Sequence, residues 1–183
     1  MLIDEFLPVY DASERHQIDI LAPVERVYAA IHSLHLGASP LIRWLVRLRG
    51  FSAPPTLTLD GLLRETSFIL LDEKREQELV FGLVGRFWTL SGDNQRLDVA
   101  GFHNFAQPGY AKAAWNFLLS RKDANTTRVA TETRVYCLDS GSRWRFRLYW
   151  ALIRPFSGLI RRSALRLLKE KAEGVSDDFS NSS

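Results

Sequence analysis

Between residues 14 and 22, side chains alternate, with His16, Ile18 and Ile20 set against Gln17, Asp19 and Leu21. That two-residue period predicts a first strand. Pro23 stands where a helix can begin, and Val24, Val27, Tyr28, Ile31 and Leu34 recur at three- and four-residue spacings, giving a helix closed by Gly37. Ser39-Pro40 reads as the cap and first position of a second short helix running to Arg49, with Leu41, Trp44, Leu45 and Leu48 inward and Arg43, Arg47 and Arg49 outward. After the 53–55 Ala-Pro-Pro loop the pattern turns to β, with strands predicted at 66–71, 78–84, 95–106, 111–121 and 127–138. Their short connections favour antiparallel pairing. The 57–63 stretch reads either as a strand or, through Asp60-Gly61, as a turn.

The chain then changes period. Residues 140–173 form a long helical pattern opened by Ser140 or Ser142, with an apolar stripe of Trp144, Leu148, Leu152, Phe156, Leu159, Ile160, Ala164, Leu167, Leu168 and Ala172. Pro155 lies inside it and predicts a kink or short break over 154–158. Residues 175–183, rich in Ser, Asp and Asn, read as a disordered tail.

An apolar fraction of 46% over 183 residues suits one domain, taken as 1–174. Asp4 and Glu5 sit where a secretory signal needs positive charge, and no apolar run approaches the roughly 20 residues of a membrane span, so a soluble cytoplasmic protein is expected. Cys137 is the single cysteine, which excludes an intrachain disulfide. Charge is the less even property. Residues 140–174 hold nine Lys or Arg against two Glu, about +7 of a net +3, leaving about −4 for the remainder. Nucleic-acid binding is not expected, because the basic residues occupy one element and no second contact surface is evident.

Three stretches carry a family resemblance: IDILAPVERVYAAI at 18–31; FAQPGYAKAAWNF at 105–117 with ATETRV at 130–135; and FRLYWALIRPFSGLIRRSALRLLKEKAE at 146–173. Together they resemble the START-like or SRPBCC superfamily, polyketide cyclase-like proteins of the helix-grip fold, and within it an uncharacterised bacterial branch. The resemblance implies an α+β fold in which a curved antiparallel sheet wraps around a long C-terminal helix, with two short helices between the first and second strands. A curved sheet crossed by one straight helix leaves a gap, commonly an apolar cavity. Binding of a small apolar or lipid-like molecule there, with no assigned catalysis, is the leading expectation. A cyclase or hydratase acting on an aromatic or polyketide-like substrate is one alternative. A ligand-free module that docks a protein or membrane through the basic helix is the other.

The candidate ligand-binding residues are Phe81, Phe102, His103, Trp115, Phe117, Glu132, Arg134, Tyr149 and Leu152. The aromatic ones either line a cavity or fill it by packing on one another. In the predicted 127–138 strand Ala130, Glu132, Arg134 and Tyr136 share one face and Val129, Thr131, Thr133 and Val135 the other. Turned inward, Glu132 and Arg134 would be a buried pair orienting a polar head group. The β-branched residues opposite favour the outward orientation. His103 could supply acid–base chemistry but has no evident partner. His32 and His35 have ligand spacing without a third ligand, so no metal site is assigned, and no motif implies a cofactor or fixes an enzyme class. Arg147, Arg154, Arg161 and Arg162 on the helix edge could make weak contact with an anionic membrane, or could be its solvated back.

Overall fold

A computed structural model describes residues 1–35, 61, 63, 67–89 and 93–174. The helix predicted at 39–49, most of the 57–63 stretch and the 175–183 tail lie outside the described residues. Five strands, β1 (Ala12–Ile20), β2 (Ile69–Lys74), β3 (Glu78–Gly85), β4 (Ala111–Arg121) and β5 (Thr127–Cys137), form one antiparallel sheet in the order β1-β5-β4-β3-β2. The helices named among the described residues are α1 (Ile3–Phe6), α2 (Val24–His32), α3 (Val99–Asn104) and α4 (Ser140–Glu173). This is the helix-grip arrangement, a curved sheet with a long C-terminal helix laid over one face.

Both faces of the sheet are covered. On the inner face Leu79, Phe81, Phe117, Leu119 and Val129 pack against α2 through Val27 and Ile31, and against α4 through Ala164, Leu165, Leu168 and Ala172. On the outer face Leu71, Val80, Val84 and Ala114 pack against Ile3 and Leu7 of the N-terminal segment and Phe102 of α3. Leu70 packs inward and Leu71 outward by ordinary strand alternation, and the register shifts between Leu70 and Asp72. With cover on both sides, every residue of β3 is buried.

The outer layer differs from the sequence reading. Residues 95–106 are not a strand: Gln95 makes one bridge to Val84, and the chain then turns into α3, capped by Asp98, whose carboxylate accepts a hydrogen bond from the Gly101 amide at 2.7 Å. Phe102 therefore belongs to the outer core, and His103 is exposed, its ring against Phe6. The polar lead-in contains α1, a single turn whose first amides are held from across the sheet. Glu78 Oε2 accepts from the Leu2 amide at 2.7 Å, and Glu78 Oε1 accepts from the Ile3 amide at 3.3 Å.

Glu132 and Arg134 also face outward, but into this second layer rather than into water. Arg134 Nε donates to Glu132 at 2.7 Å, and its Nη1 donates to Asp4 at 2.7 Å and to the Leu7 carbonyl at 3.1 Å. Asn116 extends the seam, accepting from the Glu132 amide at 2.8 Å and donating to Glu78 at 2.6 Å. Burial works against the Arg134 charge, but the hydrogen bonds to Glu132 and Asp4 outweigh it and raise its pKa.

Helix α4 runs unbroken through Pro155, so of the predicted kink or break the break does not occur. Pro155 and Ala151, whose carbonyl loses its intrahelical donor, are both exposed, so water can take the freed acceptor. The helix starts at Asp139, whose carboxylate accepts from the Ser142 amide at 2.9 Å, from the Ser142 hydroxyl, and from the Gly109 amide at 2.6 Å. These bonds, the Ser142 hydroxyl's first, hold the Asp139 pKa down to about 2. Gly109 adopts φ +90° in the turn that this carboxylate reaches.

Arg134→Met leaves Glu132 buried and unpaired, so an equilibrium stability loss of about 3–5 kcal/mol in urea denaturation is expected. Asp4→Asn, at the half-exposed end of the seam, should cost under about 1 kcal/mol. Asp139→Ala removes a cap and should cost about 1 kcal/mol. Because the folded pKa of Asp139 is depressed, its contribution is full above about pH 4 and lost as pH falls toward 2. Thermal melts across that window should therefore be flatter for the variant than for the parent.

Candidate functional site

The register of the ladders sets out the site. On the inner face Leu70 pairs with Phe81, Phe81 with Trp115, Trp115 with Thr133 and Thr133 with Glu14, one rung crossing all five strands. The neighbouring rung runs Leu83, Ala113, Val135, Ala12. Between these rungs and α4 lies a cavity of about 150 Å³. Its floor is Phe81, Leu83, Ala113, Trp115, Thr133 and Val135, its wall Phe68 and Phe87, and its roof Phe146, Tyr149, Trp150, Ser157 and Arg161 of α4.

The gap exists because the helix is held close at the β1 side and propped elsewhere. Near its middle, Ser157 and Gly158 are buried, and a Cβ on Gly158 would stand 2.7 Å from Glu14 Oε1 on β1. A side chain there would have to displace the Glu14 carboxylate from its bond to His16. Toward its start, Phe146 packs on Ala111, Val135 and Cys137, with Trp150 stacked on it at 5.6 Å. Toward its end, Ala164, Leu165 and Leu168 join the main core. Between these supports the floor aromatics pack chiefly sideways: Trp115 lies 5.2 Å from Phe81 and 5.1 Å from Phe117, ring centre to ring centre.

Polar groups gather at one side of this apolar space. Trp115 Nε1 donates to Thr131 Oγ1 at 2.6 Å, which fixes the indole in the floor. Thr133 Oγ1 is buried with no hydrogen-bond partner among the described residues. Glu14, opposite Thr133 on β1, bonds His16 Nε2 through Oε1 at 2.8 Å, whereas its Oε2 is buried and equally unpartnered among the described residues. Leaving a buried polar atom unsatisfied costs about 1–3 kcal/mol, so these two atoms, on residues paired across a ladder, call for a further polar partner such as water.

Of the nine residues proposed from the sequence, Phe81, Trp115 and Tyr149 line the cavity, and Phe117 packs beside it on Trp115. Phe102, His103, Glu132 and Arg134 belong to the outer layer, for the reasons of register and helix formation given above. Leu152 is exposed on the far side of α4. The predicted helix stripe is correct from Ile160 onward. Before it, Trp144, Leu148, Leu152 and Leu159 point away from the sheet, and Ser142, Phe146, Ser157 and Gly158 are the buried positions. That half of the helix is apolar on two sides, so periodicity offers two stripes and the sheet selects the one containing Phe146. Sequence reasoning also missed Ala113, Thr133, Ser157 and Arg161 as lining residues. The Ser157-Gly158 pair was the available signal, since small residues in a long helix mark a close approach.

Among the described residues no three His, Cys, Asp or Glu side chains gather into a metal-binding group, and His32 instead bonds Glu73 at 2.8 Å beside the Tyr28 hydroxyl. Cys137 is buried, and burial is the main cause that pushes its thiol up to about 12. No helix among them is long and apolar enough to cross a membrane.

The architecture is similar to solved structures of low sequence identity. The di-domain ARO/CYC BexL from the BE-7585A biosynthetic pathway aligns with 91% of this chain at 15% identity and a TM-score of 0.40; the chain spans about half, 48%, of that protein. The Zhui aromatase/cyclase from Streptomyces sp. R1128 aligns over 91% of this chain and 96% of its own, at 16% identity and TM-score 0.34. A Thermobifida fusca protein solved by NMR aligns over 90% and 95%, at 12% identity and TM-score 0.42. No family model matches the sequence, and no curated protein sequence does. At these scores the likenesses carry no chemistry to the cavity.

Gly158→Leu tests the close approach that defines the site. Leucine forms helix more readily than glycine, so a stability loss isolates the clash with Glu14. A loss of about 1–3 kcal/mol in urea denaturation is expected.

Proposed function

We propose that the chain is a START-like domain that binds one small, ring-sized apolar molecule between its sheet and α4. The observation that carries this reading is the cavity itself: about 150 Å³, lined chiefly by Phe, Trp, Tyr, Leu, Val and Ala side chains. Apolar cavities of roughly that volume accept a benzene-sized guest. Sites for drug-sized ligands run to about 300–1,000 Å³. The volume thus favours a single ring and speaks against a whole lipid or a folded polyketide in this space.

The polar side narrows the ligand further. Thr133 Oγ1, a buried hydroxyl in the lining, can donate or accept. A guest carrying a hydroxyl suits it, and Arg161 adds a second polar side chain to the lining. A phenol-like molecule matches the combination of aromatic lining and unpartnered Thr133 hydroxyl. The Glu14–His16 pair is the one acid–base element near the cavity, but neither residue lines it, so binding rather than catalysis is the reading supported best.

Calorimetric titration with toluene, phenol and indole checks this. Phenol is expected to bind more tightly than toluene. Ala113→Phe, which fills the floor, should abolish binding while the far-UV spectrum stays unchanged. Thr133→Val should weaken phenol by about 0.5–1.5 kcal/mol and leave toluene unaffected. Failure of all three compounds to bind the parent protein would remove the proposal.

A further inference from the structure

The first half of α4 carries a second apolar stripe on the side turned away from the sheet. Trp144, Leu148, Leu152 and Leu159 are 64%, 57%, 70% and 43% exposed. On a helix advancing about 100° per residue, these four fall within an arc of about 80°. Single exposed leucines are ordinary, but four large apolar side chains in line form a continuous patch of the kind associated with interaction sites.

The patch has a one-sign frame. Arg145 flanks it on one side and Arg147 and Arg154 on the other, while Arg162 continues its line toward the C-terminal half; all four are exposed. None of them ion-pairs with a described residue, although Arg121, Lys122, Arg128 and Arg143 elsewhere are paired with Glu25, Asp19 or Asp11. No Asp or Glu occurs between Asp139 and Glu170. Arg161, grouped with these residues on sequence grounds, lines the cavity instead.

We propose that this face of α4 docks on the anionic surface of a lipid bilayer. The helix lies in the plane of the interface, with Trp144 and the leucines in the headgroup–acyl boundary and the arginines on lipid phosphates. Charge complementarity selects this occupant. A second copy placed symmetrically on the same face would set arginines against arginines, and a neutral apolar partner would leave the frame unused. Docking would also bring the helix that roofs the cavity up to the phase in which small apolar molecules concentrate, though the proposal stands without any ligand.

Flotation of the full chain with extruded vesicles tests it, comparing phosphatidylcholine alone with phosphatidylcholine plus phosphatidylglycerol. Binding is expected only with the anionic lipid, weakening as salt is added. Arg145→Gln and Arg147→Gln should each lower partitioning about fivefold. Leu148→Ser with Leu152→Ser should reduce it at least as far, with an unchanged melting temperature, because neither side chain belongs to the core. No flotation with anionic vesicles at low salt overturns the proposal, as does flotation that the leucine pair does not affect. Sedimentation showing a parent dimer that this leucine variant converts to monomer would give the stripe to a second copy and equally overturn it.

Discussion

A buried guanidinium decides which way the sheet faces. Arg134 is held on the outer side of β5 by Glu132, Asp4 and the Leu7 carbonyl, and Asn116 and Glu78 continue the same seam to the first amides of α1. Strand side chains alternate, so fixing Arg134 outward fixes Thr131, Thr133 and Val135 inward. A slip of one residue would drive a charge into the aromatic space beneath α4 and turn the valines into the polar seam. The cost of such a slip is several kcal/mol, a large share of the stability of an ordinary domain. The cavity's floor is therefore specified from the opposite side of the sheet.

The roof follows from unequal side-chain size along one helix. Ser157 and Gly158 let the backbone descend to Glu14, Phe146 and Trp150 prop the start, and Ala164 and Ala172 sink the end into the core. Lys169 and Glu173 secure that end, Lys169 Nζ donating to the Asp19 carbonyl at 2.9 Å and Glu173 accepting from the Leu21 amide at 2.7 Å. A rigid rod held at both ends and touching one edge of a curved surface cannot also fill the hollow beside it. What remains is bounded by aromatic rings, tilted against one another in the floor and stacked in the roof.

The strands and α4 were legible because their periods are long and unbroken: β3, β4 and β5 lie within a residue or so of the sequence-predicted bounds. Short elements were not. α3 is only six residues long, and its one local sign is the Asp98 cap. α1 is a single turn fixed by Glu78, whose position 75 residues away no local pattern reveals. The alternation in β5 was readable, but a second layer over Glu132 and Arg134 was not, since its partners come from the other end of the chain. The same limit hid the Thr133–Glu14 pairing, which exists only once β1 has been added beside β5. Where a helix is apolar on two sides, as at 144–160, the sequence holds both answers and tertiary contact chooses between them.

Among the described residues the sheet ends at β1 and β2, the two places where its backbone could template the addition of a foreign chain. Both are poorly suited to it. β1 sets Ser13, Arg15 and Gln17 outward, and β2 is six residues long, interrupted by its register shift and closed by Asp72, Glu73 and Lys74. Such borders resist fibril-like growth and main-chain recognition alike.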